Sequence, residues 1–378
     1  MKKLIVLFIA VLFAAVVLAG CTPATTDNDN DAPADSRLRV ITTVFPQYDF
    51  IREIAGDRVA VSMLISPGAE PHSFDPAPRD IIALNEADLF VYVGGHSEGW
   101  VEDILASLDT APRTVALLDL VELVYSDHDH HHDHNDHHHH HDHNDDHHHD
   151  HNDDHHHGHD DHHHHDHNDD HHHDHNDDDH HHHDDHNDHH HDHNDGHHHH
   201  HDHEYDEHVW TSPQNAIAIV QALTDVLAEL DPGNADYFRA NAAAYVAELE
   251  ALDQAFTEVV EQGVRDTVIF ADRFPFRYLM DAYGLHAYAA FPGCSADTQA
   301  SPATIAALID KVNAEDIPVV FTIEFSSGTI ADVVVEDTGA RVLELHSAHN
   351  VSAEDYAAGV TYLEIMLRNV EQLREALS

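Results

Sequence analysis

The chain predicts an α/β fold: two Rossmann-like lobes joined by a long linking helix, with a disordered His/Asp-rich loop inserted in the first lobe. Three observations lead there. Short apolar runs alternate with helical segments from Leu38 to Gly94, and the alternation restarts at Thr267, which is the pattern of parallel sheets covered by helices. Between the two series, a helical stretch from about Pro232 to Gln262 is unusually long for a globular domain and suits a connection between lobes. Finally, residues 127–203 contain no apolar side chain, so nothing offsets the conformational entropy of ordering them.

Taken in order, residues 38–44 form a short apolar strand, 48–54 a helix, 59–65 a strand, 78–87 a helix and 89–94 a strand. After residue 203, Ser212 and Pro213 supply an N-cap and a first-turn proline for a helix running toward Leu230. In the second series, 267–271 is a strand, 276–283 a helix, 286–291 a strand, 302–313 a helix and 319–323 a strand. Gly328 then leads into a helix over 329–338, followed by a strand over 341–344 and one closing helix over 353–376. The lobes are thus 38–231 and 265–378, linked by 232–264. A site belongs in the crevice between them, where strand ends converge.

Residues 127–203 consist of His, Asp and Asn, relieved only by Gly158 and Gly196, and hold 43 of the chain's 49 histidines. Imidazole and carboxylate together suit zinc, nickel or copper, so so dense a tract signals metal handling. A solvated acidic spacer needs charge but has no use for this much imidazole. The repetition of HDHNDDHHH at 141–149 and 165–173 is low-complexity expansion; no unit has an apolar face with which to stack as a solenoid.

At the N-terminus, Lys2 and Lys3 precede an apolar run over 4–18 that closes on Leu18-Ala19-Gly20-Cys21, the pattern of a bacterial lipoprotein signal over 1–20. The run is short for a membrane span. Cys21 would carry the lipid, with 21–37 serving as lipidated cysteine and flexible tether. The other cysteine, Cys294, then has no disulfide partner in the chain and suits a small apolar packing role better than a metal thiolate. The formal charge is -56. The tract supplies 25 of the 72 acidic residues, leaving 47 against 16 basic ones, so nucleic acid and anionic membrane surfaces are poor partners and cations good ones.

Two motifs carry a resemblance. Gly68-Ala69-Glu70-Pro71-His72-Ser73-Phe74-Asp75-Pro76 and Asp206-Glu207-His208-Val209-Trp210-Thr211-Ser212-Pro213 resemble the metal motifs of the ZnuA-type family, the zinc and manganese solute-binding lipoproteins of ABC transporters. The resemblance extends to the placement of the His-rich tract just before the second motif and to the closing helix around Tyr362–Asn369. It implies a monomer that holds one zinc ion, or alternatively manganese, between its lobes and passes it to an ABC permease. It also implies His72 and His208 as ligands.

The family commonly places a third histidine after the first strand of the second lobe, where this chain has Ala271. His346, in the segment Leu345-His346-Ser347-Ala348-His349-Asn350, is expected to compensate, with His349 as its competitor. Glu324 or Asp272 would complete a tetrahedron, or else water would; Arg273 beside Asp272 offers that carboxylate a structural role instead. Three imidazoles suit zinc, whereas manganese sites lean toward oxygen. His96 and His286 are expected in surface or packing roles. A metal buffer in which the tract is the main activity is the alternative. A zinc hydrolase has less behind it, since no HExxH pattern is present. The tract is read as an auxiliary collector of weaker sites, so deleting 127–203 should lower the number of zinc ions bound per chain yet leave one tight site, as counted by equilibrium dialysis. Loss of that tight site would contradict the assignment.

Overall fold

The computed structural model describes residues 36–124, 205–291, 293 and 300–378. The expected signal, Cys21 with the tether as far as residue 35, the His/Asp-rich tract and Cys294 lie outside these residues. The described residues before and after the tract belong to one compact unit.

Each half builds a four-stranded, all-parallel sheet. The first contains β1 (Leu38–Thr42), β2 (Val59–Met63), β3 (Leu89–Tyr92) and β4 (Arg113–Ala116); the second contains β5 (Thr267–Phe270), β6 (His286–Ala289), β7 (Val319–Thr322) and β8 (Arg341–Glu344). Their orders, β2-β1-β3-β4 and β6-β5-β7-β8, are the same topology used twice. Val40 lies opposite Val61 and Leu89, and Ile269 opposite Tyr288 and Val320. In both sheets the order reverses beside the first strand, opening a crevice at the carboxyl ends of the strands.

Helices α1 (Phe45–Ala55), α2 (Pro78–Asn85), α3 (Trp100–Ser107) and α4 (Pro213–Leu230) accompany the first sheet. The connecting helix α5 (Ala235–Gln262) has 28 residues, about 42 Å at the α-helical rise. It is held by a stripe of Phe238, Ala242, Tyr245, Leu249, Leu252, Phe256 and Val259, all buried, at alternating spacings of four and three that keep one face inward. That face packs on α1, on α4 and on the last helix, α10 (Tyr362–Leu377). Its side chains share one apolar core with Val40 and Val91 of the first sheet and Val268, Phe270 and Phe321 of the second. The remaining helices are α6 (Arg277–Tyr283), α7 (Pro302–Ala314), α8 (Thr329–Thr338) and α9 (Ala353–Ala358).

The structure differs from the sequence expectation in two places. Helix α3 and strand β4 are additions; β4 is a four-residue edge strand with only Val115 buried, too short to give a period. The closing helix is two helices, because Gly359 takes the left-handed conformation (φ +76°) that ends α9 and Thr361 begins α10 with a reciprocal cap to Glu364.

The start of α10 is tied to the first half of the chain. Its first backbone N–H, on Tyr362, donates to the buried Asp49 carboxylate at 2.7 Å, and the Tyr362 hydroxyl donates to the Trp210 carbonyl at 2.6 Å. Both Tyr362 and Trp210 are fully buried. Replacing Tyr362 by Phe strands that carbonyl, so Tyr362→Phe should lower stability by about 1–3 kcal/mol, read as an earlier urea midpoint at unchanged slope. An unmoved midpoint would show that the bond contributes nothing net.

Candidate metal centre

Every loop that reaches the crevice follows the carboxyl end of a strand, apart from the one that enters α4. The β2 loop turns through a short 3₁₀ segment, Pro71–Ser73, where proline at its start presets the backbone and His72 follows. His208 precedes a second short turn, Val209–Thr211, and Ser212, whose hydroxyl accepts from the Asn215 N–H to cap α4. The β8 loop, 345–350, brings His349. Ligand atoms of His72, His208 and His349 lie within 4.8 Å of one another, with ring centroids 4.9–5.7 Å apart. This is the one such group of three among the described residues.

Each ring is aimed by its surroundings. Asp206 accepts from the His208 backbone N–H at 2.8 Å and stands 3.1 Å from its Nδ1, which leaves Nε2 as the ligand atom and fixes the tautomer a metal requires. The segment carrying Asp206 is held in turn by Glu207, which accepts from the Ser97 N–H at 2.8 Å and from the Ser97 hydroxyl. Gly95 permits this approach: its φ is +88°, and a Cβ there would stand 2.5 Å from the Glu207 carboxylate. His349 packs against Trp210, centroids 5.0 Å apart, and the Trp210 indole donates to the Ser347 carbonyl at 2.8 Å. The Nε2 of His72 is buried and makes no hydrogen bond, which is costly unless something else fills that role.

Two of the imidazoles, His72 and His349, are kept neutral. Burial first, then His208 and the Arg273 guanidinium, pushes His72 down to about 3. Burial first, then His208, His72 and Arg273, holds His349 well below the ordinary histidine value. Neutral rings with an open nitrogen are what a divalent cation binds.

Of the five residues nominated from sequence, the structure brings His72 and His208 together, places Glu324 on the rim of the recess beside His72, and leaves His346 and Asp272 outside the cluster. His346 is the main correction. Its Nδ1 accepts from the Ala348 N–H at 3.0 Å, its backbone is gripped at both ends by Asn369, and it faces a different recess, with Asp355 and Arg368. The cause is Ala348, whose positive φ (+59°) turns the loop so that the second histidine of the segment, His349, enters the cluster. Glu324 accepts from the Ser347 N–H at 2.7 Å and from the Ser347 hydroxyl. Asp272 accepts from the Arg273 N–H at 2.8 Å and from the Ser326 hydroxyl. The Arg273 guanidinium reaches across to Glu70 at 3.3 Å. Ala271 packs into the core of the second half, and His96 and His286 are exposed.

Known proteins resemble the chain along its length. The zinc-binding lipoprotein AdcA of Streptococcus pneumoniae is 27% identical over 387 residues, covering 99% of this chain and 61% of the relative, so the chain spans about three-fifths of that protein. The high-affinity zinc uptake system protein ZnuA of Bacillus subtilis is 26% identical, covering 96% of this chain and 94% of the relative. Among solved structures, the Zn(II)-bound ZnuA-like domain of Streptococcus pneumoniae AdcA superposes with a TM-score of 0.62 at 25% identity, covering 90% of this chain and 99% of the domain. The metal-dependent lipoprotein YcdH of Bacillus subtilis shares the fold with a TM-score of 0.64 at 24% identity, covering 90% of this chain and all of that one. The model of the periplasmic component A of zinc-uptake complexes, ZnuA, matches residues 40–376, and the chain belongs to that family.

Proposed function

We propose that the chain is the extracytoplasmic zinc-binding component of an ABC metal importer, with residues 38–231 and 265–378 as the two lobes, 232–264 as their link and a lipid on Cys21 as the membrane anchor. The observation that carries this reading is the convergence of His72, His208 and His349 in a crevice, with a buried His72 Nε2 that makes no hydrogen bond. Family membership and the zinc-binding relatives support the rest. Zinc is cargo here, and its release to the permease requires two conformations of different affinity.

Three imidazoles favour zinc over manganese. Zinc prefers a fourth ligand, and a recess of about 20 Å³ beside His72 and His349 has room for about one water. Glu324 and Asp272, the carboxylates nominated from sequence for this position, are engaged by Ser347 and Ser326, which favours the water. The tract acts as an auxiliary collector. A surface buffer would have no need of a built site behind three imidazole rings.

The decisive comparison is His349→Ala against His346→Ala, with free zinc set by a chelator buffer. Loss of His349 should weaken the tight site by more than the roughly 10–100-fold that loss of an outer-shell partner costs, whereas His346→Ala should stay within that range; the reverse order would return the third ligand to His346. The pH dependence follows from His72 and His349. Protons compete for a ligand only at or below about its own pKa, and these two are pushed below the ordinary histidine value of about 6.5. Affinity at the tight site should therefore fall less between about pH 7.5 and 5.5 than the affinity of the tract histidines for zinc. Parallel loss at both would sink this account of the site.

A further inference from the structure

Arg273 stands where a cation-binding crevice has least use for a positive charge. It follows β5, two residues beyond Ala271, and its guanidinium lines the same small recess as His72 and His349. It is mostly buried, at 17% side-chain exposure, so solvent screens it less than a surface charge. Across the crevice it meets Glu70, two residues before His72, at 3.3 Å. That pair bridges the β2 loop of the first half and the β5 loop of the second.

Resting on the assignment of zinc to His72, His208 and His349, we infer that Arg273 and Glu70 are a charge couple that sets the affinity of the metal site: Arg273 opposes the bound cation, and Glu70 offsets that opposition. Arg273 is therefore an affinity-determining residue that touches no metal. Two like charges in one partly buried crevice repel strongly, and three imidazole ligands bring no negative charge to neutralise the ion. Such a couple keeps a three-histidine site from holding its cargo too tightly. Because the couple spans the crevice, any motion that parts Glu70 from Arg273 weakens the offset that Glu70 supplies and lowers affinity at that moment.

A simple structural latch makes the opposite prediction, because breaking a latch from either side weakens binding. The test uses the full chain with free zinc fixed by a chelator buffer, so that the tract does not alter the concentration the site experiences. Occupancy is read from the fluorescence of Trp210, which packs on His208 and His349. Arg273→Gln should tighten zinc binding by roughly tenfold or more, Glu70→Gln should weaken it, and the double variant should return close to the parent. Arg273→Lys keeps the charge and should bind like the parent. Weaker or unchanged binding in a folded Arg273→Gln variant would overturn the inference, as would equal tightening by Arg273→Lys. Circular dichroism establishes folding, and if Arg273→Gln does not fold, Glu70→Gln against Glu70→Asp decides: binding that Gln leaves unweakened, or that Asp weakens as much, overturns it. The His349→Ala variant in the same assay separates this from the underlying assignment: tight binding that survives there removes the three-histidine site itself.

Discussion

The buried carboxylate of Glu324 fixes the segment on which the third histidine depends. It accepts from both the backbone N–H and the hydroxyl of Ser347, and that hydroxyl accepts from the His349 N–H at 3.2 Å. Held there, the loop passes through the left-handed Ala348 and delivers His349 to the crevice. The next residue, Asn350, donates to the carbonyls of Ser66 and Ala69 at 2.9 and 2.8 Å, tying the β2 loop that carries His72. A buried, bonded carboxylate of this kind is stabilising only while each of its acceptor sites stays matched. Glu324 therefore serves the site from behind, by shaping the loop.

The electrostatic setting is a compromise between net charge and local neutrality. The chain as a whole is strongly acidic, which draws cations toward it. Within the crevice the clustered side chains are imidazoles, and the nearby carboxylates are occupied by serine hydroxyls, by backbone N–H groups or by Arg273. Attraction at long range and selection at short range are thus assigned to different groups. A site of three imidazoles chooses among divalent ions by ligand softness, which a carboxylate-rich site does less sharply.

Much of this was legible in the sequence because periodicity and local motifs carry it. The two strand–helix series, the capped start of α4 and the long stripe of α5 all write themselves into short windows. His72 and His208 sit in motifs for the same reason. His349 was harder, because choosing between two histidines three residues apart depends on one positive φ at Ala348, an alanine whose identity gives no hint of it. The partners of Glu324 and Asp272 are not legible in the sequence, because a carboxylate at a strand end looks the same there whether it faces a metal or a serine hydroxyl. β4 and α3 are not legible, since one is an edge strand with a single buried residue and the other spans only eight residues.

The partition of ligands across the crevice bears on how cargo leaves. His72 and His208 belong to loops of the first half, and His349 alone comes from the second, so parting the halves would carry one of the three rings away from the other two. Wide separation is opposed by the fold, however. The α5 stripe and strands of both sheets share one apolar core, and Tyr362, from the last helix, is bonded to both Asp49 and Trp210. Opening that core exposes apolar surface at about 25 cal/mol per Å², and the β8 loop shares in it, since Leu345 and Ala348 belong to the same core. Any movement that carries His349 out of the crevice must therefore also free Ser347 from the Glu324 carboxylate.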